Sequence, residues 1–125
     1  MPKQELLYKE LSEKIISSVY SIFSELGYGH PEKVYQKAFE LELKKSGLRY
    51  KRENYSLIKY DGEVAGKYFL DFLTEDKIAI EFKVRREIYE SDWLQLLNYL
   101  KATDLKVGLL IIFTKEGPKI KRIVN

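Results

Sequence analysis

The chain has 125 residues, with 22 Lys and Arg against 19 Asp and Glu and a net charge of +3 at pH 7. That length makes one domain able to bury roughly two-thirds of its unfolded surface, and 45% apolar with 33% charged residues fits a globular chain rather than a disordered or membrane-embedded one. The absence of cysteine and a single histidine exclude disulfides, thiol catalysis and multi-histidine zinc centres, so any metal is expected to be held by oxygen.

Between Leu6 and Leu26, apolar residues at Leu7, Leu11, Ile15, Val19, Ile22, Phe23 and Leu26, widened by Ile16 and Tyr20, have helical spacing and predict a long amphipathic helix. Gly27 to His30 break it. Pro31 suits a first helical turn, and Val34, Tyr35, Ala38, Phe39, Leu41 and Leu43 carry a second helix to Gly47, a left-handed stop. Three strands rich in Tyr, Phe, Ile and Val follow at 50–60, 64–73 and 77–84, joined by the turn signals Asp61-Gly62 and Thr74-Glu75-Asp76. Ser91 or Asp92 is expected to cap a third helix that presents Trp93, Leu94, Leu96, Leu97 and Leu100 and ends at 102–104. The nearly all-apolar stretch 106–113 reads as a strand covered on both faces, and 120–124 as a short edge strand after Gly117-Pro118. The predicted order ααβββαββ is an α/β domain, a mixed sheet flanked by helices, with residues 1–26 as an N-terminal helix and 29–125 as the core.

No apolar run approaches the roughly 18 to 20 residues of a membrane span, and the first residues lack the apolar segment of a signal peptide, so a cytoplasmic protein without a membrane partner is expected. Two stretches concentrate positive charge, 44–52 with five cations and 115–122 with four cations against Glu116. Solvated lysine-rich turns are the plainer reading of both; a phosphate-contacting surface is the alternative.

The informative interruptions lie in the second hairpin. Asp71 sits within Tyr68 to Leu73, and Glu81 and Lys83 within Ile78 to Val84, where a buried charge costs several kcal/mol unless it is paired or metal-bound. Alternation puts Glu81 and Lys83 on one face, and pairing across the turn brings Asp71 beside Glu81. Two carboxylates beside an ammonium form a hard-oxygen site suited to Mg²⁺ or Mn²⁺ and to phosphodiester hydrolysis by a metal-activated water. An exposed cross-strand ion-pair cluster explains the same spacing equally well.

Asp71 followed by Glu81-Phe82-Lys83 resembles the D-(x)n-E-x-K signature of the PD-(D/E)XK nuclease superfamily, and Gln95 to Tyr99 resembles the Q-x-x-x-Y element of its RecB-like branch. The run Gly29-His30-Pro31-Glu32-Lys33-Val34-Tyr35 is similar to the eponymous motif of the GxxExxY family within that superfamily, and the likeness extends over about residues 15–125. The resemblance implies a restriction-endonuclease-like fold in which Asp71, Glu81 and the Phe82 main-chain carbonyl ligate Mg²⁺ or Mn²⁺. It implies that Lys83 serves the attacking water and that Glu32 reaches the metal directly or through water. Gln95 and Tyr99, one helical turn apart, would position Lys83 or the scissile phosphate.

From the residues alone, Glu32 reads equally as a carboxylate favoured by the helix dipole, Gln95 and Tyr99 as a mutually bonded pair, and Tyr35 and Trp93 as core. His30 reads mainly as a surface or capping residue near the site. Arg85 and Arg86 are candidates for phosphate contacts, with pairing to Glu87 or Glu90 as the alternative. The expected function is Mg²⁺-dependent hydrolysis of DNA, or RNA, with a homodimer or a larger nucleic-acid-processing complex as the expected assembly. The rivals are a catalytically weak nucleic-acid- or partner-binding module on the same fold, and a plain structural domain in which the acidic cluster is an ion pair.

Overall fold

The computed structural model describes residues 8–125. Two helices, α1 (Lys9–Leu26) and α2 (Glu32–Lys45), precede β1 (Tyr50–Tyr60), β2 (Glu63–Thr74) and β3 (Ile78–Val84); α3 (Glu90–Thr103), β4 (Val107–Thr114) and β5 (Gly117–Val124) complete the chain. This is the predicted α/β order, and element boundaries fall within a few residues of expectation. The expected helical residues Leu6 and Leu7 lie outside the described residues.

The strands form one mixed sheet in the order β1-β2-β3-β4-β5, antiparallel except for the parallel β3/β4 pair that α3 connects. Alternation along the central strands divides the core in two. On one face, Ile15, Val19 and Ile22 of α1 and Tyr35, Phe39 and Leu43 of α2 cover Phe72, Ile80, Phe82, Ile111 and Phe113. On the other, Leu96, Tyr99 and Leu100 of α3 cover Leu70, Ala79, Leu110 and Ile112. Strand β4 is buried along its whole length because both faces have a helix above them, as its unbroken apolar run requires. At Gly108 a Cβ would meet Leu96 at 3.0 Å, so glycine lets α3 lie directly on β4.

Local details refine the sequence expectations. Tyr20, Leu41 and Leu94 are more than one-third exposed, because the i, i+4, i+8 stripe that meets the sheet leaves them beside it rather than within it. Helix α3 starts at Glu90, ahead of the expected Ser91 or Asp92 cap; the Asp92 carboxylate instead accepts the Tyr89 N–H at 3.2 Å from inside the first turn. The last strand runs from Gly117, longer than expected, because its whole length pairs with β4. Gly47 (φ 71°) ends α2 in the left-handed conformation, the two-residue hairpin loop Asp61-Gly62 has positive φ at both residues, and the first two residues of the three-residue loop from Glu75 to Lys77 share it.

Only Phe72, Leu73 and Thr74 of β2 pair with β3, whereas β1 and β2 continue together as a long ribbon. The strands therefore fork at Asp71. Leu70 and Phe72, two residues apart, pack on opposite faces of the sheet, so alternation breaks at Asp71, and Glu53 opposite it on β1 adopts φ 52°.

Candidate active site

Where the β2/β3 ladder stops, carboxylates take over its hydrogen bonds. Asp71 Oδ2 accepts the Phe82 N–H at 2.7 Å, and Glu81 Oε1 accepts the Asp71 N–H at 3.3 Å, so each carboxylate is clamped by the backbone of the opposite strand. This is the juxtaposition expected from hairpin register, achieved at a fork rather than in a regular ladder. Glu81 is 6% exposed, and its second oxygen accepts the Tyr68 hydroxyl at 2.7 Å.

The electrostatics follow from this crowding. Burial, then the Asp71 charge, push the Glu81 carboxyl up to about 8, against partial relief from the Tyr68 hydroxyl and Lys83. The Tyr68 phenol is held strongly protonated by its own burial and by Glu81. Glu32, in the first turn of α2, is also raised, by burial first and Asp71 second, with Lys83 and Arg85 opposing. Glu32, Lys83 and Arg85 line a cleft of about 390 Å³ with His30, Pro31 and Val84. The structure thus gathers Asp71, Glu81, Lys83 and Glu32 around one end of β3.

The other expected residues are distributed differently. His30 lines the cleft, but its Nε2 lies 2.9 Å from the Leu26 carbonyl at the end of α1 and its ring meets Tyr35 edge-on, an arrangement that fastens the α1–α2 corner. Arg85 pairs with Asp92 at 2.9 Å, rather than with Glu87 or Glu90, and stacks on Tyr89. Arg86 is exposed. Gln95 is exposed on α3, facing a groove under the β1–β2 ribbon. Tyr99 is buried, accepts the Asn54 side-chain amide at 3.3 Å and packs on the Tyr68 ring, which makes it a core residue behind the site.

The basic stretch 44–52 is largely satisfied by its neighbours. Arg49 pairs with Glu75, Lys51 with Asp76 and Arg52 with Glu40, ion pairs that neither reading of this stretch expected. Sequence reasoning missed Tyr68, the nearest hydroxyl to Glu81. Its spacing resembles that of any strand aromatic, and only the fork turns it towards the carboxylate.

A family model of the PD-(D/E)XK nuclease superfamily matches residues 9–123. The chain belongs to this superfamily. Its α/β architecture is the restriction-endonuclease-like fold, in agreement with the order read from the sequence. The fold also resembles the crystal structure of a protein designated SSO0001, with a TM-score of 0.57 and 24% identity over 99% of this chain. This chain spans 62% of that protein's length. No curated protein matches in sequence.

Members of the superfamily typically use divalent metals and act on nucleic acid. The donor set here fits a small hard cation. Asp71 and Glu81 supply anionic oxygens, and their mutual repulsion in a buried setting is what a divalent cation would relieve. In an extended strand the N–H and C=O of one residue point to the same edge. The Phe82 N–H meets Asp71 beyond the last ladder pair, so its carbonyl opens into the same fork. Among the described residues no three His, Cys, Asp or Glu side chains cluster tightly enough to ligate one ion, so Glu32 stands back from the pair. No helix among the described residues is long and apolar enough to cross a membrane.

Proposed function

We propose that this protein is a Mg²⁺- or Mn²⁺-dependent nuclease that hydrolyses phosphodiester bonds in DNA or RNA, and that it belongs to the GxxExxY group of its superfamily. The observation that carries the reading is the clamped Asp71–Glu81 pair at the fork, with Lys83 two residues further along β3. A structural ion-pair cluster would put a cation between the carboxylates. Here backbone N–H groups hold them together, and burial and repulsion leave the pair short of positive charge.

Asp71, Glu81 and the Phe82 carbonyl would hold the metal, with Glu32 acting on it through water. The bound ion would supply Lewis acidity at the scissile phosphate and lower the pKa of a coordinated water. Tyr68 fixes the Glu81 carboxylate by donating to its outer oxygen. Lys83, close enough to Glu32 and Glu81 to favour both carboxylates, would orient the attacking water and offset charge developing on the phosphoryl oxygens. The water oxygen would bond to phosphorus and give up a proton to solvent, the ester P–O bond would break, and the leaving oxygen would take up a proton from solvent. The Gly29–Tyr35 motif, whose Glu32 lines the cleft beside Lys83, supports assignment to the GxxExxY group. Arg85, anchored by Asp92 beside the cleft, would meet a flanking phosphate. The cytoplasm and a homodimer are the address and assembly that suit such an enzyme.

Incubation with labelled single-stranded and duplex DNA plus Mg²⁺ or Mn²⁺ tests the proposal. Cleavage is expected to fall by at least a hundredfold in Asp71→Ala and Lys83→Ala, on the scale of losing a principal electrostatic contributor. Cleavage that survives both substitutions would refute the mechanism.

A further inference from the structure

Beside the fork, the β1–β2 ribbon and α3 enclose a groove of about 460 Å³, within the range of ligand sites. Its lining is mostly apolar, with Ile58 and Tyr68 on the ribbon side, and carries two side-chain amides, Gln95 and Asn98, one helical turn apart on α3. The charged residues on its wall are Lys59 and Lys67, with no carboxylate among the lining residues. The Lys67 ammonium rests 4.9 Å from the Tyr55 ring centroid on the far face of the ribbon, a weak exposed contact from which the long side chain reaches a phosphate in the groove only by turning round the open edge of β2. Tyr68 joins the groove to the reaction centre, because the residue that forms its wall also donates its hydroxyl to Glu81.

An apolar trough with amides and only positive charge suits an unstacked nucleobase on an anionic backbone. Amide side chains bond base edges, apolar and aromatic walls receive the base plane, and lysines meet phosphates. In a duplex the bases are stacked and paired, so none is free to enter a trough between a ribbon and one helix. We propose that this groove binds single-stranded nucleic acid, with a base seated between Tyr68 and the Gln95/Asn98 face and Lys59 and Lys67 on adjoining phosphates. The inference rests on the nuclease reading and narrows its substrate to single strands or single-stranded ends.

The test is fluorescence anisotropy with a labelled 12-nucleotide single strand and its duplex, in EDTA so that binding is read without cleavage. The wild-type protein is expected to bind the single strand about tenfold more tightly than the duplex. A Lys59→Ala/Lys67→Ala double variant should reduce the slope of log affinity against log salt by about 1.4, or 0.7 per lost phosphate contact. Asn98→Leu should weaken single-strand binding about fivefold and leave duplex binding unchanged. Lys59, Lys67 and Asn98 are exposed, and circular dichroism verifies that the variants fold. Equal affinity for both forms, or variants that bind the single strand like the wild type, would overturn the proposal, including the case in which the groove takes a protein partner. Parallel Mg²⁺ cleavage assays separate the two readings. Normal strand binding without cleavage removes the nuclease assignment and leaves the groove standing, whereas cleavage insensitive to the groove variants does the reverse.

Discussion

Neutralising Glu81 by Glu81→Gln separates a metal-ligand pair from a structural ion pair, because the two predict opposite signs. The Glu81 carboxyl lies near 8 in the folded protein against an ordinary value of 4.5. Between those pH values the folded state holds a proton that the unfolded state has lost, so apoprotein stability falls as pH rises through this window and levels off above 8. At 1.36 kcal/mol per pH unit the ceiling on this loss is about 5 kcal/mol. Glutamine never ionises and escapes it. It keeps one carbonyl acceptor where Glu81 serves both the Tyr68 hydroxyl and the Asp71 N–H, which costs about 1 kcal/mol. The variant is therefore expected to be more stable than the wild type by about 2–4 kcal/mol at pH 9 and slightly less stable at pH 5. Urea unfolding in EDTA at both pH values measures this. Added Mn²⁺ should stabilise the wild type but not the variant. A variant less stable than the wild type at pH 9 would mean that Glu81 is held by a favourable ion pair, refuting the reasoning from burial and repulsion.

Tyr68→Phe removes the hydroxyl that favours the Glu81 carboxylate, so the acid limb of the cleavage pH profile should move to higher pH; an unmoved profile would place Tyr68 outside the site. Gly108→Ala pushes a Cβ into Leu96 and should destabilise the fold by about 1–3 kcal/mol in denaturant titration, with little change if α3 can shift freely. Asp92→Ala deletes both the α3 cap and the Arg85 anchor at a buried site. About 2–3 kcal/mol of stability should be lost, and thermal unfolding that matches the wild type would show that neither contact matters.

Much of the architecture could be read from periodicity. The stripe through Ile15, Val19 and Ile22 and the run from Val107 to Phe113 each have one stable burial pattern, so the elements and their layers followed from the order of residues alone. The Asp71–Glu81 pairing was also legible, because the short loop between Thr74 and Ile78 fixes a hairpin register that sets Asp71 opposite Glu81. Individual apolar residues were less so. Tyr20 and Leu94 fit a helical stripe on paper, and only the width of the sheet beneath decides which flanking positions it covers.

The sequence by itself determined the chemistry available: two carboxylates and a lysine in the second hairpin, no thiol and one histidine. Tertiary structure alone decided how those groups are used. The end of the β2/β3 ladder at Phe72 frees backbone N–H groups to clamp the carboxylates. The same fork turns Tyr68 onto Glu81, and Asp92 takes Arg85 away from Glu87 and Glu90. The groove beneath the ribbon exists because β1 and β2 continue past the point where β3 leaves them. These contacts join residues distant in sequence through a break in regular pairing. Periodicity describes regular elements, and the site lies where regularity ends.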